Sequence, residues 1–299
     1  MSAARILVVG AGYVGEAFAD LALANGREVV ACTASEESAH ALAATKRYKV
    51  SAADVSGPGS MDRVRSQSGE FDLVLFSASS GRGGVDRYRS VYLGGARNLA
   101  AVFPDAHLIY TGSTSVYAQT DGSWVDEASA TEPDRETGKL LVQTEQVVTG
   151  AAGTVARIAG IYGPGRSVLL RKFLAGTAVL EGDGSRWINQ AHRDDIVRAL
   201  WTLGEQRGTT AGRIFNVCDD QPLQQHDCFG RLARHYGRPL PPPAPPDYDR
   251  RRGWTNKRVS NARLRALGWT AAFPAFFDAV RAGLDPGQAA ADSALADSA

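Results

Sequence analysis

Three glycines open the chemistry of this 299-residue chain: Gly10, Gly12 and Gly15 follow the apolar run from Arg5 to Val9 in the spacing G-x-G-x-x-G, ahead of the amphipathic stretch GEAFADLALANG. In that setting one glycine allows a tight turn, one lets backbone approach a pyrophosphate, and one lets a helix pack closely on a strand. The amides around Tyr13 and Val14 then face phosphate oxygens at a helix N-terminus. The ribose end follows from the second strand. An acidic residue there takes both ribose hydroxyls and repels a 2′-phosphate, but this strand ends in Cys32-Thr33-Ala34-Ser35. Thr33 and Ser35 are therefore candidate partners of a 2′-phosphate and NADP is the expected cofactor, with NAD kept open by Glu36 and Glu37 just beyond. Arg135 and Lys139 form a second set. Four residues apart on one predicted helix, they share a face and repel unless an anion sits between them, which makes Arg135 a candidate grip for a substrate carboxylate or phosphate.

The elements that must position these residues alternate. Short apolar runs at Arg5 to Val9, Glu28 to Cys32, Lys46 to Val50, Leu73 to Ser77, Leu108 to Thr111 and Val155 to Ile158 are separated by amphipathic stretches, the pattern of βαβ units. Several runs are apolar throughout, as expected when helices cover both faces of a strand. The expected fold class is α/β, a doubly wound Rossmann-type parallel sheet with a smaller C-terminal substrate lobe. After Gly160 the turns IYGPGR, EGDGSRW and DDQP break the chain into shorter segments. The expected division is thus a dinucleotide-binding domain over 1–160, a substrate-binding lobe over 161–285 and a flexible tail over 286–299. Arg238 to Pro246 is dense in proline and reads as an extended connection, with basic residues 250–252 as a solvated arm.

Composition narrows the partners. Thirty-three basic residues against thirty-two acidic ones give a net charge of +1, so no global field draws nucleic acid or a membrane surface. No stretch approaches the roughly 20 apolar residues that span a bilayer, and the start MSAARILVVG lacks the pattern of an export signal. Cys32, Cys218 and Cys228 have no zinc-ligand spacing and are odd in number. A reduced, cytoplasmic protein without a metal site is expected, acting on a small molecule.

Further along, AADV with Asp54, GARNLAAVF, YTGSTSVYA, RIAGIYGPGR, HRDDI and FNVCDDQP occur in order. Together with GAGYVG they resemble the extended short-chain dehydrogenase/reductase family, which includes nucleotide-sugar epimerases and dehydratases, from the first strand to the region of Gly283. The resemblance implies that Asp54 contacts adenine, that Ser113 is the catalytic hydroxyl and Lys139 the catalytic lysine holding the nicotinamide ribose, that Tyr117 and His192 face the substrate, and that two chains pair as a homodimer. Three positions depart from the pattern. Arg135 stands where the family has a tyrosine four residues before the lysine, which exchanges a proton with the substrate oxygen. A guanidinium with a pKa above about 12 does not do so near neutrality. Tyr92 replaces an asparagine in VYLGGARNL and becomes a candidate proton donor, and Val9 replaces the first glycine of a longer glycine motif.

In the second half, Gly163-Pro164-Gly165-Arg166 follows the sixth predicted strand at the carboxyl edge, where open α/β sheets bind ligands, so Arg166 is expected to meet a substrate anion beside Tyr162. His192 is a candidate acid or ligand and Asp195 a helix cap. Lys257 and Arg258 read as surface charges or as phosphate contacts, Trp187 and Trp254 as packing or pocket wall. The expected function is that of an NAD(P)-dependent oxidoreductase acting on a small polar or anionic carbonyl or imine substrate with a non-standard proton donor. A nucleotide-sugar epimerase or dehydratase and a non-catalytic NADP-binding redox sensor are the alternatives.

Overall fold

The computed structural model describes residues 4–81, 83–249 and 253–287. The basic residues 250–252 and positions 288–299 of the expected tail lie outside the described residues. Seven strands form one sheet: β1 (Arg5–Val9), β2 (Glu28–Thr33), β3 (Lys49–Ala52), β4 (Leu73–Phe76), β5 (His107–Ser113), β6 (Thr154–Ile158) and β7 (Ile214–Val217), in the order β7-β6-β5-β4-β1-β2-β3. The neighbours β1–β2, β1–β4, β2–β3 and β4–β5 are parallel. The bonds Val155 N–H to Arg213 and Ala159 N–H to Val217 advance together, which makes β6 and β7 parallel too.

The apolar runs explain this sheet. Every residue of β4 and β6 is buried, and so are four of the five in β1, as a strand covered on both faces requires. Helices α1 (Tyr13–Ala24), α2 (Glu36–Ala43), α3 (Ser60–Ser68), α4 (Gly95–Val102), α5 (Glu136–Gly150) and α6 (Arg193–Glu205) connect the strands. The third strand begins at Lys49 and not at the expected Lys46, whose ammonium is drawn instead to Glu16 (2.6 Å) and Asp20 (2.7 Å) on α1. α5 is pinned to β6 by a buried two-point pair, Arg157 Nε and Nη2 donating to the Glu145 carboxylate at 2.9 and 2.7 Å.

Gly95 sets how closely α4 sits. A Cβ there would lie 2.9 Å from Phe76 Cζ and 3.0 Å from both methyls of Val55. Overpacking costs about 1–3 kcal/mol, while Gly to Ala inside a helix returns about 1 kcal/mol. Gly95→Ala is therefore expected to lose about 1 kcal/mol in urea unfolding, and a gain would mean that Phe76 and Val55 give way freely.

The chain divides into two compact units, and a single cut at residue 160 is corrected. The first comprises residues 1–113, 139–157 and 196–215, and the second 114–138, 158–195 and 216–299. The chain leaves the sheet after β5, returns for α5 and β6, leaves again and returns for α6 and β7, so sequence order does not separate the units. The second unit has its own core, in which Tyr162, Phe173, Leu232, Phe229 and Phe276 are buried. Its proline-rich segment is extended as expected but is also paired, Pro243–Ala244 running parallel to Leu180–Glu181. Among the described residues no helix is long and apolar enough to cross a membrane, and no group of three His, Cys, Asp or Glu could hold a metal ion.

Candidate active site

The glycine loop sits where the strand order of the first unit reverses, between β1 and β4, at their carboxyl ends. This is the crevice in which open α/β sheets bind ligands. Gly10 has φ +92°, and a Cβ there would lie 2.4 Å from Ala78 Cα, on the loop after β4. A Cβ on Gly15 would lie 2.3 Å from the Gly10 carbonyl oxygen. Gly12 is different. It is exposed, it is the N-cap of α1 with no side chain capping the helix, and a Cβ there would meet nothing within 4 Å. The helix dipole and an approach free of side chains thus coincide in open space, as a pyrophosphate needs. Tyr13 is half-buried and Val14 buried at the same helix start.

At the ribose and adenine end, the hydroxyls expected to take a 2′-phosphate are already engaged. Thr33 Oγ1 donates to the Ser35 carbonyl at 3.1 Å, and Ser35 Oγ caps α2 by accepting the Ser38 amide at 3.3 Å. Glu36 and Glu37 occupy the first turn of α2. Asp54 accepts Ser56 N–H and Oγ–H at 2.9 and 2.7 Å on one oxygen and Arg87 Nη2 at 3.0 Å on the other. Burial pushes its carboxyl up, but the bonds from Ser56 and Arg87 outweigh it and hold the group below the ordinary range.

The expected catalytic set is distributed. Ser113 ends β5, half-buried, and Lys139 is exposed in the first turn of α5. Arg135 is not on that helix. It precedes Glu136, its carbonyl accepts the Gly138 amide at 3.0 Å, and its Nη2 donates to the Tyr248 carbonyl at 2.9 Å. The shared helix face is therefore corrected. Tyr92 lies in a π-helical turn, Arg89–Gly94, a rare geometry enriched at functional sites. Its ring is buried against Tyr88 (5.0 Å) and Tyr110 (6.3 Å), and its hydroxyl accepts the Ser80 amide at 3.3 Å. That contact lets Tyr92 hold the loop after β4, and because its oxygen accepts there, it leaves the hydroxyl proton unspent.

The second unit holds a cavity of about 450 Å³ whose walls include Ser115, Thr120, Arg135, Tyr248, Trp254 and Thr255. The rings of Tyr248 and Trp254 lie 5.5 Å apart. Arg135 and Trp254 line this cavity, and four other candidates do not. Tyr117 is fully buried with its hydroxyl donating to Asn216 Oδ1 at 2.8 Å. Tyr162 is buried against His192 (5.2 Å) and Phe276 (5.1 Å). His192 is buried on Phe273 at 4.0 Å, and its Nδ1 accepts the Asp194 amide at 3.2 Å. Arg166 is buried, its backbone closing the turn onto Gly163. Asp195, expected as a cap, holds the amides of Ala272 and Phe273 at 2.8 and 2.9 Å.

Lys257, which reads as a surface charge or a phosphate contact, is buried. Its Nζ donates to the Tyr117 carbonyl at 2.9 Å and to Thr255 Oγ1 at 2.8 Å. Desolvation, with a smaller push from Arg186, brings the amine down to about 7. Arg258 lies between Trp124 (5.1 Å) and Trp187 (5.0 Å). Tyr248 and Thr255 were missed because they flank the proline-rich and basic run, where no hydrophobic period marks an element.

A model of the NAD dependent epimerase/dehydratase family matches residues 6–218. No curated protein matches the chain. Among solved structures, a protein from Methylobacillus flagellatus described as an NAD-dependent epimerase/dehydratase is similar at 27% identity with a TM-score of 0.74, over 94% of this chain and 97% of that one. A conserved protein of unknown function from Silicibacter pomeroyi is 25% identical with a TM-score of 0.71, over 94% and 99%. UDP-glucuronic acid 4-epimerase from Bacillus cereus, solved with UDP-glucuronic acid and NAD, has the same fold at 17% identity with a TM-score of 0.72, over 90% and 94%.

Proposed function

Because the chain belongs to the NAD dependent epimerase/dehydratase family, we propose that it is an NAD-dependent oxidoreductase that interconverts a hydroxyl and a carbonyl on a small, polar, anionic substrate. The observation that carries this reading is the cavity of the second unit, where the Arg135 guanidinium shares the wall with three hydroxyl side chains, Ser115, Thr120 and Thr255, and with the aromatic pair Tyr248 and Trp254. A guanidinium offers paired donors to a carboxylate or phosphate, the hydroxyls suit a polyol or carbonyl, and the rings suit a flat or apolar face. Bound NAD supplies the hydride acceptor. Gly12 and the start of α1 would hold its pyrophosphate, Asp54 its adenine and Lys139 its nicotinamide ribose. We assign NAD over NADP because the Thr33 and Ser35 hydroxyls are engaged within the chain and two glutamates open α2, an arrangement that repels a 2′-phosphate.

Calorimetric titration of NADH and NADPH into the purified chain tests the cofactor. NADH is expected to bind at least ~10-fold more tightly, a difference of about 1.4 kcal/mol, and tighter NADPH would reverse the assignment. Screening carboxylated and phosphorylated alcohols for NADH production tests the substrate. Arg135→Gln is expected to raise KM about 10-fold with NADH affinity unchanged, and an unchanged KM would remove Arg135 from substrate binding. A nucleotide-sugar epimerase or dehydratase reaction is the second reading, supported by the fold shared with UDP-glucuronic acid 4-epimerase. Like the first reading, it needs a base other than Arg135, and the substrate screen separates the two.

A further inference from the structure

We propose that Thr255 and Lys257 form a proton relay in which the Thr255 hydroxyl exchanges protons with the cavity and the buried Lys257 amine stores them. The inference rests on the reading of the cavity as a substrate site and supplies the proton path that Arg135 cannot.

Three observations on one unit carry it. Thr255 is on the cavity wall. Lys257 Nζ is 2.8 Å from Thr255 Oγ1, behind it, and is itself buried. No carboxylate pairs with Lys257 among the described residues: its two partners are a hydroxyl and the Tyr117 carbonyl, and the charged group that acts on it is Arg186, of like sign. The Arg186 guanidinium is itself paired with Glu181 at 3.1 Å, and Asp134 and Arg135 line the same cavity as Thr255. Holding a buried ammonium by carbonyl and hydroxyl alone is costly, and the like charge of Arg186 adds to the cost. The neutral amine fits the same place without that cost. One N–H donates to the Tyr117 carbonyl, and the lone pair accepts the Thr255 hydroxyl proton. That hydroxyl then has its oxygen lone pairs free to accept a proton from a ligand hydroxyl.

The step balances. As a bound alcohol is oxidised, its O–H proton passes to Thr255 Oγ1 while the Thr255 proton passes to Nζ, forming the ammonium. NAD⁺, where bound, would supply the two-electron acceptor that takes the carbinol hydride, which balances the oxidation of the alcohol to the carbonyl. Reduction runs the same transfers backwards. Burial brings the amine to about 7, so both forms are populated near neutrality and neither direction has to work against a large proton gap.

The test uses the full chain with ¹³C- and ¹⁵N-labelled lysine, followed by nuclear magnetic resonance, and needs no known substrate. Lys257→Gln assigns the resonance. The wild-type amine is expected to titrate near neutrality, and its N–H protons to exchange with solvent through Thr255. Thr255→Val is expected to slow that exchange at least ~10-fold, and Thr255→Ser to restore it. Exchange that is the same in Thr255→Val and wild type would show a route that bypasses Thr255, and a midpoint near that of an ordinary lysine would leave no store for the proton. Either result overturns the proposal. If Thr255→Val fails to fold, Thr255→Ala takes its place in the exchange comparison, and the wild-type midpoint still decides whether the amine can store a proton. NADH binding by the same samples reports separately on the cofactor reading, because a chain that fails to bind NADH can still show the relay.

Discussion

Gly12→Val is expected to keep the fold and lose the dinucleotide. The backbone at Gly12 is extended, at φ −97° and ψ −151°, without the positive φ that reserves a position for glycine, and a Cβ there meets no atom of the protein within 4 Å. Nothing in the chain resists the side chain, so the thermal midpoint should stay within about 2 °C, about the shift that 1 kcal/mol produces in a chain of this size. The empty space is where a pyrophosphate would lie against the start of α1, and two branched methyls would fill it. NADH affinity is expected to fall at least ~100-fold, about 2.7 kcal/mol, measured by fluorescence titration. Retained affinity would take the loop out of the cofactor site, however well the rest of the family pattern fits. Gly10→Ala is the control with the opposite signature. At φ +92° and 2.4 Å from Ala78 Cα it is strained and overpacked at once, with a combined cost of about 3 kcal/mol, so it loses stability before any question of binding arises.

The contrast between these glycines marks how much the sequence could tell. The loop was legible because three glycines at fixed spacing each answer a separate steric demand, and the structure assigns those demands to Gly10, Gly12 and Gly15 one by one. The sheet was legible because β1, β4 and β6 are buried on both faces and so lack the alternation of a surface strand. β7 was not read: Ile214–Val217 carries Asn216 within its run, which breaks the continuous apolar stretch that marks β4 at the same length. The interleaving of the two units was hidden for another reason. Residues 114–138 and 196–215 contribute to units that their neighbours in sequence do not belong to, and local periodicity carries no information about such returns.

The candidate site was half legible, and the failures share a cause. Tyr117, Tyr162, Arg166 and His192 belong to recognisable motifs, yet each is buried within the second unit, where its side chain builds the scaffold. Residue type and motif position locate a segment, but they do not say which way a side chain points. Lys257 is the converse. Flanked by Asn256 and Arg258 it reads as a surface cation, and only the packing of the Tyr117 carbonyl and Thr255 around it shows a buried amine.

That burial predicts how stability varies with pH. In the unfolded chain the Lys257 amine binds its proton with the ordinary value of 10.5, and in the folded chain at about 7. Between those values the unfolded state holds more protons than the folded one, so the free energy of unfolding rises with pH across the window. Below about 7 both states are protonated and the cost of the buried charge is fully present; as pH rises through the window that cost is relieved. One pKa unit corresponds to about 1.4 kcal/mol, so the relief from pH 7 to 9 is of order 2 kcal/mol. Cys32 and Cys228 limit the range. Burial raises both thiols from 9.0 to about 12, and a raised thiol makes stability fall once the unfolded chain begins to ionise, above about 9. The quantity to measure is therefore the difference between Lys257→Met and wild type, by urea unfolding from pH 6 to 9. Methionine fills similar volume without a charge, so the variant should be the more stable at pH 6 to 7 by about 1–3 kcal/mol, after allowing for the lost bond to the Tyr117 carbonyl. The gap should close as pH rises, because the wild type gains what the variant never lacked. A constant difference across that range would mean that Lys257 keeps one protonation state throughout, and the amine could then neither store nor return a proton near neutrality.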